Sequence, residues 1–429
     1  MKKNILITTE GKLMLKWAKT LFPICRSLTG KGTQTTLRFF KKINNEFKLI
    51  KFKSGTKVFD WKIPLEWNIR NAYIQHTNKK KFAEFKKNNL HVVGYSTPVN
   101  KIISKKELIK NIYTQKNQPN AIPYVTSYYK KRWGFCMTDN MKKKLPDGKY
   151  RVLIDSDLKK GFLELMEAKL RGNSKKEIFF SSYVCHPSMA NNELSGPVLL
   201  NAILKYIKEK YPKRKFGYRF VLLPETIGPI AYLSRFKSQL KKNVICGFNL
   251  TCVGDERAYT MIETPNGNTL ADRALISSLK NKKNFKKYSF LDRASDERQY
   301  CSPLINLPVC CFSKSKNYPE YHTNLDNFKV VTEKGLQQSF NVFKDIIDAF
   351  EIDLYPKTKI NCEPNLGSRN LYPTLSQKGI YDNEIKNRMN LIAYASGQND
   401  IFKISNLLNQ SLDETCKELK ILKSKNILI

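Results

Sequence analysis

Ionisable side chains gather at four positions in the sequence, each directly after an apolar run that is typical of a buried strand. His186 and Glu193 follow the first run, Glu225 ends the second, Asp255 follows the third and His322 follows the fourth. The chain has only 4 histidines, and two of them lie at these positions. In an open α/β sheet the ligand site lies beyond the carboxyl ends of the strands. We therefore expect these side chains to meet at one edge of a sheet.

A hydrolytic zinc site requires side chains of these types. Its ligands are neutral imidazoles and a carboxylate, with one open position for water, and a further carboxylate takes the proton of that water. His186, Glu193 and His322 supply the first set, and Glu225 supplies the second. A lone histidine after a strand is more often a hydrogen-bonded structural residue, so the prediction depends on the convergence of all four strand ends.

Three further residues near these strand ends allow two interpretations each. Asp296 and Glu297, in the segment SDERQY, either bind the amino group of a substrate or hold their loop in place. Tyr321 either stabilises an oxyanion or packs against its neighbours, with packing the favoured interpretation. We also predict that Cys185 is a buried thiol rather than a ligand beside His186, because consecutive side chains of a strand point to opposite faces.

The elements that must position these residues follow from the hydrophobic pattern. From about residue 151 onwards, apolar strand-like runs alternate with helical segments, which predicts an α/β fold with a mainly parallel sheet and helices on both faces. The runs cover residues 177–186, 218–226, 244–254 and 306–314, and a helix over 333–350 closes the block.

The remaining segments predict additional parts. Short alternating runs separated by Pro and Gly over 48–130 indicate a small antiparallel β domain, inserted into an α/β domain that comprises 1–47 and 131–355. Residues 356–376 are rich in Pro, Asn and Gly and indicate a linker. Residues 377–429 contain three short helical patterns and a terminal strand, which predict a winged-helix module.

The charge of the chain does not by itself predict a nucleic-acid partner. The formal net charge is +39 over 429 residues, but lysine is spread along the whole chain. Proteins that read nucleic acid use arginine forks and clustered basic patches. We interpret the excess as a compositional bias and predict neither specific nucleic-acid binding nor a membrane partner. A homo-oligomer stays open.

Cysteine usage and the N-terminus predict a cytoplasmic, soluble protein. The 10 cysteines include no C-x-x-C pair, which fits reduced thiols in the cytosol. Residues 1–20 contain no long apolar stretch and no small-residue cleavage site, so no signal peptide is predicted. No apolar run approaches the roughly 18 residues that span a bilayer.

Several long segments resemble one protein family. They are FPICRSLTGKG, YVTSYYKKRWGFC, YVCHPSMANNELSGP, LLPETIGPIAYL and CEPNLGSRNLYPTL. The family is the bacterial aminopeptidase-like family that often lies among polysaccharide and surface-glycan genes, and the resemblance covers nearly the whole chain. It implies a fold similar to that of the zinc-dependent exopeptidases, with an inserted β domain and a C-terminal winged helix.

The resemblance also implies roles for three residues. His186 matches the first histidine ligand of that superfamily, His322 matches the last, and Glu225 matches the general base. By implication the protein is a zinc-dependent hydrolase of the aminopeptidase type. Such a metalloprotease would cleave a small peptide or amide by metal-activated water.

The sequence departs from the superfamily at three ligand positions. Asn192 stands in place of the bridging Asp, and Glu193 follows one residue later. Thr226 replaces the second Glu of the usual Glu-Glu pair. A further Asp ligand falls near Thr251, where no carboxylate stands, and Asp255 is four residues on. We therefore expect one zinc ion rather than two, held by Glu193 and the two histidines. The alternative is a site that has lost its metal.

Two other functions stay open at this point. The chain is either an enzyme or a non-catalytic protein that binds a peptide or a glycan-linked amide in surface polysaccharide biosynthesis. A third interpretation is a DNA-binding regulator that uses the winged helix. A fold alone does not decide among them.

Overall fold

The computed structural model describes residues 9–372 and 383–429 of the chain. Its strands, numbered in chain order, are β1 (Lys48–Lys53), β2 (Lys57–Val58), β3 (Trp61–Lys62), β4 (Glu66–His76), β5 (Lys81–Phe82), β6 (Val99–Ser104), β7 (Ile112–Tyr113), β8 (Phe135–Cys136), β9 (Lys149–Lys159), β10 (Phe162–Leu170), β11 (Glu177–Tyr183), β12 (Gly217–Leu223), β13 (Val244–Leu250), β14 (Tyr259–Ile262), β15 (Phe285–Tyr288) and β16 (Val309–Ser313). Its helices are α1 (Thr9–Leu21), α2 (Lys31–Ile43), α3 (Lys105–Ile109), α4 (Asp139–Lys143), α5 (Ser195–Lys210), α6 (Ile227–Asn243), α7 (Leu270–Leu279), α8 (Glu297–Tyr300), α9 (Glu333–Ile352), α10 (Asn383–Tyr394), α11 (Ile401–Leu407) and α12 (Leu412–Ser424). Among these residues, no helix is both long and apolar enough to cross a membrane.

A large sheet forms the centre of the described part of the chain. Its eight strands lie in the order β1-β10-β12-β11-β13-β16-β14-β15. The four middle strands, β12, β11, β13 and β16, are parallel to one another, whereas β1 and β10 are antiparallel additions at one edge. The middle strands correspond to the four apolar runs of the sequence. The predicted α/β class is therefore confirmed, and the ends of these strands share one edge.

Both faces of the sheet are covered, because the middle strands bury side chains on both sides. On β11, Phe180 packs against Phe248 and Phe343, with ring centroids 5.4 and 5.7 Å away. The neighbouring Phe179 points to the opposite face and packs against Tyr300 at 5.0 Å. Two hydrophobic cores enclose the sheet in this way and hold the strand ends in fixed positions.

Helix α5 begins in close contact with the edge where the predicted site lies. A Cβ atom on Gly196 would stand 2.3 Å from Ser182 Oγ and 2.4 Å from the carbonyl oxygen of Leu250. A larger residue would push the start of α5 away from the ends of β11 and β13. Gly196 therefore sets the distance between the loop after β11 and the sheet.

A second, antiparallel sheet in the order β5-β4-β9-β6 forms the inserted part. Strand β1 does not belong to it, because it pairs with β10 of the large sheet. Strand β9 does belong to it and pairs with β4 along nearly its whole length. The sheets therefore differ from the predicted bounds: β1 lies within the predicted insert of 48–130 but joins the large sheet, and β9 lies within the predicted α/β segment of 131–355 but joins the sheet of the insert. The reason is that an alternating pattern identifies a strand but not the sheet that the strand joins.

The C-terminal module consists of α10, α11 and α12, close to the three helical patterns of the sequence. The predicted linker over 356–376 is partly paired with it, because Lys357 bridges to Ser396 and Thr358 bridges to Leu428. Residues 373–376 of that linker and residues 377–382 of the predicted module lie outside the described residues. The start of the module is thus better marked by the bridges at 357–358 than by its first helix.

Candidate functional site

Three of the four strand ends bring predicted residues together. His186 follows β11, Glu225 follows β12, and His322 lies in the loop after β16. The rings of His186 and His322 have centroids 5.5 Å apart. His186 Nε2 stands 3.6 Å from Glu225 Oε2. The predicted convergence of two imidazoles and a carboxylate is therefore present in the structure.

The loops that carry these residues have strained backbones. Ser188, Thr226, Cys252 and His322 all have positive φ angles between 41° and 64°. Such a conformation is uncommon for any residue other than glycine and is an outlier for a β-branched one such as Thr226. A single π-helical turn, Ala190–Leu194, precedes α5 at the same edge. Strain of this kind costs about 1–3 kcal/mol per residue and clusters at functional sites. Single π-helical turns are also frequent at functional sites.

The ring of His186 is fixed from its Nδ1 side. Glu193 Oε2 lies 3.2 Å from His186 Nδ1 and accepts the backbone N–H of His186 at 2.9 Å. Arg26 forms a fully buried ion pair with Glu193, its Nε 3.0 Å from Oε1. The same Nε donates to the carbonyl oxygen of His186, and Nη1 donates to that of Leu21. Glu193 is therefore held between a cation and the inner edge of the imidazole.

Glu225 lies on the other side of the same ring. Its backbone N–H donates to the sulfur of Cys185 at 3.3 Å, and the hydroxyl of Ser295 donates to Oε1 at 3.1 Å. Burial raises the pKa of the Glu225 carboxyl, and the nearby His186 opposes that shift. Cys185 is itself buried, as predicted. Glu225 thus keeps Oε2 directed to His186 while Ser295 occupies its other oxygen.

His322 is enclosed by aromatic rings. Tyr321 stacks on it with centroids 3.8 Å apart, and Tyr124 from the insert meets it edge-on at 5.3 Å. Its Nε2 is buried and has no hydrogen-bond partner among the described residues. Burial, together with the electrostatic effect of the neighbouring His186, lowers the pKa of His322 to about 3. The ring is therefore neutral near pH 7 and retains an unshared ligand atom.

Asn192 presents a second buried polar atom without a partner. Its Nδ2 donates to the hydroxyl of Tyr183 at 2.9 Å, while its Oδ1 is buried and unpaired among the described residues. The carboxylate of Asp326 accepts the backbone N–H groups of Asn191 and Asn192 and fixes the turn that carries them. A buried acceptor left unpaired costs about 1–3 kcal/mol, so Asn192 Oδ1 is a candidate contact for a ligand.

Three of the predicted acidic residues stand behind the site. Asp296 accepts the backbone N–H of Thr226 at 2.8 Å, and Glu297 accepts the N–H groups of the two residues before Asp296. Asp255 accepts the hydroxyl of Ser315 at 2.7 Å. All three are at most 1% exposed. Both oxygens of Glu297 are taken up by hydrogen bonds within its surroundings, whereas Asp296 Oδ2 has no partner among the described residues, so both interpretations stay open for Asp296.

Two cavities adjoin Glu225. The first has a volume of about 460 Å³ and is lined by Tyr183, Thr251 and Tyr321, among others. The second has a volume of about 300 Å³ and is lined by His186, His322 and aromatic residues of the insert. Among the described residues that line either cavity, Glu225 is the only carboxylate. The sequence did not predict this part of the site, because an aromatic residue such as Trp61 in an alternating strand pattern is typical of a hydrophobic core, and no motif marks Arg26 or Tyr124.

The side chains offer two ways to hold a metal ion. One set, Cys185, His186 and Glu193, has ligand atoms within 4.8 Å of one another and is fully buried. Arg26 already neutralises Glu193 in that set and would repel a dication. The other set uses the outward atoms, His186 Nε2 and the unpaired His322 Nε2. Two rings that bind one tetrahedral zinc at about 2.0–2.1 Å have centroids about 5 Å apart, close to the separation here. The second set avoids the Arg26–Glu193 ion pair but supplies only two ligand atoms of its own.

Comparison with known proteins agrees with this architecture. A family model described as Domain of unknown function (DUF4910) matches residues 15–353, and one described as winged helix-turn-helix matches residues 353–429. A relative from Clostridium acetobutylicum, named as a candidate polysaccharide biosynthesis protein with an aminopeptidase-like domain, is 38% identical over 392 residues. The alignment covers 90% of this chain and 88% of the relative.

Solved structures are similar over most of the chain. The crystal structure of a candidate peptidase from Clostridium acetobutylicum has a TM-score of 0.90 and 35% identity, and covers 99% of this chain and 97% of its own. A zinc aminopeptidase from Bacillus subtilis has a TM-score of 0.58 at 10% identity, covering 81% of this chain and 95% of its own. The second likeness concerns the fold alone. The large sheet and its helices therefore have an aminopeptidase-like fold, followed by a winged-helix domain.

Proposed function

This chain belongs to the DUF4910 family, and from that premise and the geometry of the site we propose that it is a metal-dependent hydrolase of a peptide or amide bond. The observation that carries the proposal is the facing arrangement of His186 and His322, with one unpaired imidazole nitrogen, and Glu225 3.6 Å from His186. A neutral His322 and a carboxylate of raised pKa are the protonation properties that such chemistry requires.

The metal would be held on the cavity side of the imidazoles. His186 and His322 would bind it through Nε2, and the unpaired Oδ1 of Asn192 is the candidate for a third ligand. Bound zinc lowers the pKa of water and polarises a carbonyl oxygen. Glu193 then has a different role from the predicted ligand role. It accepts a hydrogen bond from His186 Nδ1 while Arg26 holds it in an ion pair, and so it sets the orientation of the ring.

Glu225 is the proposed general base. Glu225 lines both cavities, and its Oε2 lies 3.6 Å from His186 Nε2. There it would take a proton from the attacking water and return it to the leaving amine. The hydroxyl of Ser295 donates to Oε1 and so leaves Oε2 free for the proton. Burial raises the pKa of the carboxyl and so makes it a stronger proton acceptor. Tyr321, stacked on His322, supports the ring, and its contact with an oxyanion stays a prediction.

The cavities support an amide substrate without a dedicated site for a free amino group. Among the described residues that line them, Glu225 is the only carboxylate. Both oxygens of Glu297 accept hydrogen bonds from protein groups, and Asp296, whose Oδ2 is unpaired, does not line either cavity. An aminopeptidase substrate would need an acceptor for its ammonium group in addition to the general base. The name of the Clostridium relative links that protein to polysaccharide biosynthesis, which supports a glycan-linked amide as the substrate class.

A second candidate function is binding without catalysis. It is favoured by the three positions at which the superfamily pattern has carboxylates and this chain has Asn192, Thr226 and Thr251. Loss of those charges would lower the affinity for a dication. The same cavities would then bind the amide without cleaving it.

Elemental analysis and amide hydrolysis separate the two functions. Protein purified without chelator or affinity tag should carry about one zinc or similar ion per chain. Glu225→Gln should lower the rate of amide hydrolysis by about 10²–10⁴-fold while metal content and thermal stability stay the same. Glu209→Gln, on the exposed side of α5, is the matched control. If wild-type protein takes up no metal when zinc is offered, or hydrolyses none of a broad amide panel, the binding function is correct instead.

A further inference from the structure

The 300 Å³ cavity has a wall that comes from the insert rather than from the α/β domain. Trp61 lies on the short β2–β3 hairpin, where Val58 pairs with Trp61 across a two-residue turn. Val58 is 2% exposed and packs into the hydrophobic core that contains Ile230 of α6. The hairpin is thus anchored, yet the Trp61 ring is 38% exposed. An anchored hairpin that leaves a large apolar ring open to a cavity indicates a contact surface.

A second aromatic ring continues this surface. Tyr129 meets Trp61 edge-on, with centroids 5.6 Å apart, and is 57% exposed. Tyr124 and Tyr128 line the same cavity, and their hydroxyl oxygens are 2.6 Å apart. In such a pair one hydroxyl donates to the other, so the second hydrogen is free for a ligand. The cavity therefore combines flat apolar faces with hydroxyl groups.

The same surface leads away from Glu225 into a larger space. Tyr128 and Tyr129 also line a cavity of about 720 Å³, together with Ser127, Asp157 and Lys130. Glu225 and His186 line the smaller cavity at its inner end. The two cavities therefore adjoin each other at Tyr128 and Tyr129, and we call the pair the aromatic cleft.

We propose that this cleft binds a carbohydrate, with one pyranose ring against Trp61 and further rings in the larger cavity. A pyranose has an apolar C–H face and a rim of hydroxyls, which match the faces of Trp61 and Tyr129 and the hydroxyls of Tyr124 and Tyr128. An aromatic side chain in the same place would leave those hydroxyls without partners. Only the position of the scissile amide beside Glu225 rests on the proposed function; the binding of the sugar does not.

Ligand-observed NMR on the full chain tests the proposal without relying on catalysis. The probes are N-acetylglucosamine trisaccharide and maltotriose, each at about 10 mM, where a site with a Kd of about 1 mM is mostly occupied. We expect saturation transfer to at least one saccharide in wild-type protein. Trp61→Ala should weaken binding by about ten-fold, and Trp61→Phe should restore part of it.

Phe59→Ala is the matched control, because Phe59 is an exposed aromatic residue of the same hairpin that does not line the cavity. It should leave binding unchanged. Because the measurement reports binding and not turnover, a failure of the hydrolase function leaves this result intact. The proposal is overturned if neither saccharide binds, if Phe59→Ala weakens binding as much as Trp61→Ala, or if N-acetylphenylalanine amide binds in a Trp61-dependent manner while the saccharides do not.

Discussion

At the residue scale, the Arg26–Glu193 ion pair explains why His186 has a single orientation. Both side chains are fully buried, and Glu193 contacts both the backbone N–H and the Nδ1 of His186. A buried pair of this kind adds little net stability compared with apolar residues, but loss of one partner leaves an uncompensated charge. The pair is therefore better understood as a device that positions an imidazole than as a source of stability.

This arrangement predicts a large stability effect for a conservative change. Glu193→Gln leaves Arg26 without its counter-ion and should lower the free energy of unfolding by about 3–5 kcal/mol, measured by urea denaturation. The double variant Arg26→Met with Glu193→Gln should recover part of that loss, because it removes the unpaired charge. If Glu193→Gln instead unfolds like wild type but loses its metal, Glu193 is a metal ligand, as the sequence predicted.

Asn192 allows the opposite kind of test, a gain of function. Asn192→Asp places a negative charge where Oδ1 is now unpaired, and the hydroxyl of Tyr183 can then donate to the carboxylate. We expect zinc to bind about ten-fold more tightly in this variant, measured by competition with a chelating dye, because a charged ligand is attracted to the cation more strongly than an amide oxygen. Asn192→Leu should bind zinc more weakly than wild type. Equal affinities in all three proteins would show that Asn192 is not a ligand.

The residues that the sequence could predict are those at strand ends. His186, Glu225 and His322 follow apolar runs, and the rule for parallel sheets brings such positions together. Arg26 could not be found in this way, because it contacts a carbonyl group 160 positions along the chain. The role of Asn192 depends on which of its atoms lacks a partner, and no sequence pattern carries that information.

At the element scale, helix α9 joins the α/β domain to the C-terminal module. Phe350 of α9 meets Phe402 of α11 with ring centroids 5.0 Å apart. Arg273 of α7 forms an ion pair with Asp400 at the start of α11, 2.8 Å apart. Residues of both parts belong to one hydrophobic core. The winged helix is therefore packed as a part of the enzyme-like domain and not attached as a separate body.

Truncation of one ring at this interface should reveal the coupling. Phe402 is fully buried, and Phe402→Ala should lower the free energy of unfolding by about 3–5 kcal/mol. Calorimetry should show a single transition that moves to lower temperature. Leu407→Ala, an exposed change on the same helix, should have little effect. A separate early transition in Phe402→Ala, with the main transition unmoved, would contradict the shared core.

The elements themselves were predictable to different degrees. The central strands and helix α9 have strong apolar patterns, and their predicted bounds agree with the structure to within a few residues. Strand β9 was not assigned to the insert, because its pairing with β4 spans more than 70 residues of sequence. Local patterns identify elements, whereas long-range pairing is decided by packing.

At the scale of the whole molecule, the excess of positive charge and the winged helix both suggest DNA, and the structure gives an argument against it. By its place after the turn, α12 is the element that would enter the major groove. It contacts α9, and its buried face includes Cys416 and Leu419. The exposed face carries Asp413, Glu414, Lys417 and Lys420, which sum to no net charge, and Lys417 is paired with Asp413.

DNA binding should therefore be weak and unspecific. A helix that reads bases uses side chains such as arginine and asparagine on a free face. The exposed face of α12 offers two acidic residues, a lysine paired with one of them and one further lysine instead. The lysines elsewhere can still attract phosphates, but that contribution falls steeply with salt because it depends on counterion release. A duplex of about 30 base pairs should bind without sequence preference and dissociate by about 200 mM salt, measured by fluorescence anisotropy. The variant Asp413→Lys with Glu414→Lys should raise the affinity at low salt but not create a preferred sequence. Tight, sequence-selective binding by wild-type protein that persists at about 200 mM salt would contradict this prediction. It would mean that α12 leaves α9 to reach DNA and that the protein acts as a DNA-binding regulator.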